Sequence, residues 1–355
     1  IYNMNNIQSV SYLLDDVPEE SKLKKDLLFF ESNFSGIMPL EIIIDTKVKK
    51  GIRNLKNLKK INDLEKYLNS ISVISQPLSI IGFIKAARQA YYNDKILYYD
   101  LPNSRDQAFI LRYLSSGYVS ENLGKKNISS SFVDSLGQKI RISLKVADLG
   151  SQKLDSLIKN VITPQIDKTF SKSKMEATIT GSTLLAVKGN QFLITNLFQS
   201  MIIAFCIISL IMGLLFRKAY MIIISLIPNI IPLLIAAGLM GFFDIPLKPS
   251  SALVFSIVFG ISVDYSIHFL AKYRNELLYS KNIKESVLNT ILETGKSMVF
   301  TSFILFFGFI IFTFSSFGGT VVLGALTSTI LFIAMITNLT LLPSIILYIN
   351  RNNIK

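Results

Sequence analysis

Between Ser297 and Asn350 the chain runs for 54 residues without one charged side chain, a length of polypeptide that no water-exposed surface would retain. An α-helix rises 1.5 Å per residue, so about 20 residues cross the roughly 30 Å hydrocarbon layer of a bilayer. This stretch is long enough for two crossings. Three more apolar stretches precede it: Gly189 to Phe216 is uncharged and densely apolar from Phe198, Ala219 to Phe243 is uncharged, and Pro249 to Ala271 holds a single charge, Asp264. The expectation is an α-helical transmembrane bundle of five helices at about 198–216, 220–241, 250–272, 297–314 and 320–349. Ser315-Ser316-Phe317-Gly318-Gly319 separates the last two, a breaker cluster suited to a tight turn.

Charge divides the 355 residues unevenly. Residues 1–196 hold 27 of the 37 Lys+Arg and 19 of the 24 Asp+Glu, which leaves 15 charged side chains for the other 159 residues. A wholly soluble enzyme and a disordered chain are excluded, the second because sustained apolar runs oppose disorder. The net charge of +13 does not point to nucleic acid, because the lysines alternate with acids and apolar residues and no basic run is interleaved with aromatic rings. Cys206 is the single cysteine and His268 the single histidine, so no internal disulfide, cysteine metal site or histidine-cluster metal site is expected. The chain opens at Ile1 without a signal peptide, and Ile1 to Leu14 is too short and polar for an anchor. It reads as part of a longer polypeptide.

The short loops orient the bundle. Arg217, Lys218, Lys272, Arg274, Lys281, Lys284, Lys296, Arg351 and Lys355 fall on one side, and the short loops of the other side hold only Lys248. Basic residues mark the cytoplasmic side, so this is a multi-pass protein of the cytoplasmic membrane with residues 1–196 outside. Tyr220, Tyr273, Tyr279 and Tyr348 are placed to form an aromatic belt at the inner interface. Within the cytoplasmic loop 273–296, Asn282 to Glu293 reads as an amphipathic helix with Asn282 as its cap and Ile283, Val287 and Ile291 on one face, lying along the membrane surface.

The extracytoplasmic part reads as an α+β domain of two strand-helix-strand subdomains, about 36–100 and 128–190. In the first, Pro39 to Asp45 is a strand, Leu55, Leu58, Ile61, Leu64 and Leu68 recur at helical spacing, and Ile71 to Ile74 is a second strand. In the second, Ile140 to Val146 alternates with period two, Lys153 to Phe170 is helical and Ala177 to Thr180 is a strand. Helices near Ile80 to Tyr92 and Arg105 to Ser115 lie between them. These are the parts of a ferredoxin-like fold, whose halves commonly enclose a cleft.

Asp264 carries the most information. It precedes Lys272 by eight residues, about 12 Å at the helical rise, which puts it well inside the hydrocarbon. A carboxylate there costs about 2.5–3.5 kcal/mol, so it must be protonated, paired or facing a wet cavity. His268 follows one turn later on the same face, and Gly260 and Ser256 precede it. This small, polar face is expected to point into the bundle. Asp264 is then either a proton-carrying site, tuned by a hydrogen bond from Tyr265 or a neighbouring helix, or a structural polar pair that locks helices together. Pro228-Asn229-Ile230-Ile231-Pro232 interrupts the second helix as a hinge or a static kink. Thr301, Ser302, Thr313, Thr327, Ser328, Thr329, Asn338 and Thr340 are expected to be mostly packing residues, one or two of them joining a proton path. No phosphate-binding loop, HExxH or GxSxG motif is present, so no enzyme and no cofactor is expected, and any work must draw on an ion gradient or a partner.

Gly260-Ile261-Ser262-Val263-Asp264-Tyr265-Ser266-Ile267-His268-Phe269, with Ile227-Pro228-Asn229 before it and Leu342-Pro343 near the end, resembles the resistance-nodulation-division (RND) superfamily in its MmpL-like, hydrophobe-exporter branch, related to Patched and sterol-sensing proteins. Phe30 to Gly36 with Pro39-Leu40-Glu41, and Thr180-Gly181, are similar to its porter domain. The resemblance implies an exporter driven by the proton gradient that moves lipids or other hydrophobic molecules out of the cytoplasmic membrane. It implies two homologous halves, of which this chain corresponds to the second. Asp264 and Tyr265 would be the proton relay facing a similar pair in the first half, with His268, Thr301 and Ser302 as accessory polar groups and Gly260, Pro228, Asn229 and Pro232 in packing and hinge roles. The expected partners are the hydrophobic substrate, membrane lipids, the absent N-terminal half and accessory proteins or further copies. Two alternatives share the architecture: a lipid-sensing or scaffolding membrane protein, and a Sec-type secretion accessory subunit, whose corresponding helix usually reads differently after the aspartate.

Overall fold

The computed structural model describes residue 12 and residues 14–110, 131–216 and 219–350. Contacts divide the chain into two units, one of residues 19–189 and the other of 190 onward together with the short 3-10 turn Leu14–Asp16.

In the first unit, α1 (Lys22–Phe34) leads into β1 (Met38–Asp45). Then follow α2 (Leu55–Asn69), α3 (Ile80–Tyr91), β2 (Lys139–Val146), α4 (Ser151–Leu157), a π-helical turn (Ile158–Ile162), α5 (Thr163–Phe170) and β3 (Glu176–Thr180). The strands form one antiparallel sheet in the order β2-β1-β3, with Ile42 opposite both Ile142 and Ile179. Met38, Leu40, Ile42 and Ile44 alternate inward and meet Ile140, Ile142, Leu144 and Val146 on one face, which α2 covers with Leu58, Ile61, Leu64 and Leu68. The other face is polar, and there Glu41 pairs with Arg141 across the strands. Pro164 has no N–H to donate, and the helix just before it is wound wider as the π turn. Gly181, at φ +118°, passes so close to β1 that a Cβ would lie 2.9 Å from the Pro39 carbonyl oxygen.

Residues 71–74, expected to be a strand, contribute one isolated bridge from Ile74 to Val146, joined by a second from Leu78 to Ser143. Both lie along β2. The strands of the two strand-helix-strand units thus lie in one sheet. Of the helix expected over Arg105 to Ser115, residues 111–115 lie outside the described residues, as do Arg217, Lys218, Arg351 and Lys355.

The second unit holds five helices long and apolar enough to cross a membrane. These are α6 (Ser182–Phe216, which starts in the first unit), α7 (Ala219–Phe242), α8 (Pro249–Ser280), α9 (Ile283–Ile310, continued by a 3-10 turn to Phe314) and α10 (Gly318–Ile349). Two expectations change here. α7 runs unbroken through Pro228 and Pro232. The amphipathic segment 282–293 is the first half of α9 and not a separate surface helix: Asn282 caps it by accepting from the N–H groups of Lys284 and Glu285, and nothing downstream breaks the ladder. Helices α8 and α10 each pack on α7, on α9 and on each other. α10 approaches the end of α9 closely at Gly324, where a Cβ would stand 2.7 Å from the Phe312 Cβ and 2.8 Å from the Phe309 carbonyl oxygen.

Candidate functional site

Successive helix residues point about 100° apart, and α8 uses this to present two different polar surfaces. Ser262 and Ser266, one turn apart, face inward with Asn229 of α7 and Asn338 of α10, all four fully buried. Ser262 Oγ donates to Asn229 Oδ1 at 2.7 Å, and Asn338 Nδ2 donates to Ser262 Oγ at 3.1 Å. Ser266 Oγ lies 2.6 Å from Asn338 Oδ1 and 3.0 Å from Asn229 Oδ1, so its one proton is shared between two acceptors. The remaining amide hydrogens reach back one turn to the Ser225 and Ala334 carbonyls. This network ties α7, α8 and α10 together. It was readable only in part from sequence, where Asn229 was a hinge residue and Asn338 a packing residue; the four-residue spacing of Ser262 and Ser266 opposite two lone amides was the available signal.

Tyr265 points to α9. Its hydroxyl lies 2.6 Å from Ser302 Oγ, and both groups are buried. The neighbouring Thr301 faces outward and bonds its own helix at the Ser297 carbonyl. Tyr265 and Ser302 are thus brought together, and Thr301 is not part of that contact.

Asp264 and His268 occupy the outer surface of the five helices. Within these five helices they do not face the interior: their side chains are 63% and 69% exposed, and Gly260 beside them opens on empty space. Both faces of α8 carry small polar residues, and the inner one is taken by Ser262 and Ser266. Asp264 Oδ1 sits 3.3 Å from His268 Nε2. Among the described residues that contact joins α8 only to itself.

Each end of the bundle is charged. At one end Lys248, nearly buried, places its ammonium 3.0 Å from Asp16 and 3.6 Å from Asp15. At the other, Lys272 bridges Glu276 on α8, at 3.0 Å, to Glu293 on α9, at 2.5 Å. In the first unit an open groove of about 510 Å³ is lined by Phe30, Phe34, Ser35, Ser75, Gln76 and Lys145. Burial there also pushes the Glu65 carboxyl up to about 7, against the opposing hydrogen bond from Ser79.

The model of the MMPL family matches residues 69–355, which take in much of the α+β unit and all five helices. The chain belongs to the MMPL family. It is also similar to a protein of Methanocaldococcus jannaschii named only as a membrane protein, at 23% identity over 356 residues covering 98% of this chain and 86% of the relative. An MMPL match with five spanning helices makes this a multi-pass membrane protein of RND type.

Proposed function

We propose that the chain is the second-half unit of an RND-type exporter that couples proton entry to the outward movement of lipids or other hydrophobic molecules. One observation carries the reading: the static and the titratable polar groups of α8 are separated. The Asn229–Ser262–Ser266–Asn338 network joins three helices and holds no ionisable group. Asp264, inside a span that must be solvated by hydrocarbon, joins none. A carboxylate placed there for structure alone would cost stability and hold nothing, which weighs against the scaffold alternative. Tyr265 is the group through which the charge state of Asp264 reaches α9, because the residue next to the carboxyl is bonded to Ser302.

Residues 1–196 are placed outside the cytoplasm in this reading. Lys248, the one basic residue in the outer short loops, is neutralised by Asp15 and Asp16, which sharpens the asymmetry of the loop charges. The α+β unit serves as the porter domain. The bridges of Ile74 and Leu78 along β2 extend the order β2-β1-β3 toward the four-strand order of a ferredoxin-like sheet, and the exposed rings of Phe30 and Phe34 suit its groove to an apolar substrate.

The test is transfer of a fluorescent phospholipid from proteoliposomes to acceptor vesicles, with the full gene product reconstituted and an acid-outside gradient imposed. Transfer that stops when a protonophore collapses the gradient is expected. Transfer at the same rate with and without the gradient would overturn the proton-driven reading.

A further inference from the structure

We propose that the 3-10 turn Ile96–Tyr98, which follows α3, is a lipid-contact tip that inserts Ile96 and Leu97 into the surface of the bilayer holding the protein's own spans. Ile96 is 86% and Leu97 84% exposed, and no described residue covers them. Two adjacent aliphatic side chains would ordinarily turn inward; here a built support holds them out. Asn93 and Asp94, both left-handed at φ 56° and 58°, turn the chain sharply out of α3, and Gln89 Nε2 donates to the Asp94 carbonyl at 3.0 Å. Tyr92 and Tyr98 stack with ring centres 4.1 Å apart, which joins the two sides of the turn. The Arg88 guanidinium lies 6.0 and 5.8 Å from those rings. It also donates to Asp106 Oδ2 at 2.8 Å and to the Leu101 carbonyl at 2.9 Å. Asp106 is buried and accepts in turn from the Asn103 N–H at 2.7 Å. A base tied at this many points keeps the tip from folding back onto its own unit.

Size and chemistry identify the occupant. A stable protein–protein interface takes about 800 Å² from each partner, far more than two aliphatic side chains on a turn can give. A lipid surface is soft and accepts a small apolar point. Around the tip the exposed side chains change in character: Tyr99 and Tyr91 are exposed, Tyr91 is stacked on Phe109 at 6.4 Å, and Lys95 flanks the turn. Aliphatic groups suit the edge of the hydrocarbon and tyrosine rings the headgroup level. The lysine stem follows apolar surface while its ammonium stays in water. The tether selects which bilayer. β3 ends at Thr180, and along α6 the distance from Ser182 to the densely apolar stretch at Phe198 is about 24 Å at the helical rise. So short a link gives the unit a higher effective concentration at its own bilayer than at any free membrane. This contact goes beyond the transport reading and does not require it.

Quenching by brominated lipid tests this on the full gene product in proteoliposomes, in a Cys206→Ala background and with no gradient imposed. A fluorophore on Lys95→Cys, which leaves Ile96 and Leu97 intact, is expected to lose most of its emission when the host bilayer contains phospholipid brominated in the upper acyl chain. Leu78→Cys is the control. It is also exposed, at 53%, but precedes α3 where the tip follows it, about 18 Å away along the helix, and its emission should hold. Adding Ile96→Ser and Leu97→Ser to the Lys95→Cys protein should restore the emission, and since both residues are exposed the core is left untouched. Unquenched emission at position 95, equal quenching at 95 and 78, or quenching that survives the two serine substitutions would overturn the proposal. Quenching only by brominated lipid supplied in separate vesicles would also overturn it, by giving the tip a facing membrane in place of its own.

Discussion

Asp264 and Tyr265 are neighbours in sequence and face different surroundings, because one residue step along a helix turns the side chain by about 100°. Removing the hydroxyl in Tyr265→Phe loses the bond to Ser302 and strands the buried Ser302 hydroxyl, a loss of about 1 kcal/mol. Transport should weaken several-fold without a loss of membrane abundance, and Ser302→Ala should reproduce the effect; unchanged rates in both variants would remove Tyr265 from the relay. Glu65 makes a separate residue-scale prediction. Burial raises its carboxyl from 4.5 to about 7 in the folded unit, so the folded state binds more protons than the unfolded state between those values. Stability contributed there is present below about pH 4.5 and is lost as pH rises toward about 7. Hydrogen exchange of α2 and α3 amides, corrected for its intrinsic pH dependence, should show protection falling across that window in the wild type and staying flat in Glu65→Gln. Matching profiles in the two proteins would contradict the assignment. Asp264 was legible in the sequence as the one charge between Pro249 and Ala271. The side it faces was not, since Gly260 and Ser256 mark one face as small and polar while Ser262 and Ser266 mark the other.

At the scale of elements, the fold of the bundle rests on close approach and on the buried amide network. Hydropathy located the five spans, yet it cannot tell a lipid-facing side from a protein-facing one, because lipid and helix interiors are equally apolar. It also could not show that α9 begins at Ile283: Glu285, Glu293 and Lys296 read as a surface segment, whereas the capped helix carries them straight into the span. In the α+β unit the alternation of β1 and β2 was readable residue by residue, but their pairing joins positions about a hundred residues apart, which no local pattern encodes. Two substitutions test the elements. Asn229→Ala removes the acceptor shared by Ser262 and Ser266 and should lower stability by about 1–3 kcal/mol, read as a lower melting temperature in detergent. Gly324→Ala forces a Cβ against the α9 backbone and should do the same, while Gly308→Ala, with open space around it, should change little. Equal melting of the Gly324 and Gly308 variants would contradict the packing of α10 on α9.

For the whole molecule, the proposed function makes two linked predictions: that the α+β unit lies outside, and that protons entering from that side pass Asp264. The first is checked by impermeant thiol labelling of intact cells in a Cys206→Ala background, where Leu136→Cys on the α+β unit should react and Lys281→Cys between α8 and α9 should be protected. Labelling at position 281 would invert the topology. The second depends on a change of charge state, because a group that binds equally in both conformations shifts neither. His268→Asn, which leaves the carboxyl in place, should have only a mild effect on transport. The most direct measurement is phospholipid transfer by proteoliposomes of Asp264→Asn, which keeps the shape of the side chain and cannot titrate, compared with the parental protein at equal abundance and under the same acid-outside gradient. The account predicts that the variant inserts normally and that its gradient-driven transfer is abolished. Transfer at the parental rate would show that the carboxyl is structural and that the protein is not driven through it.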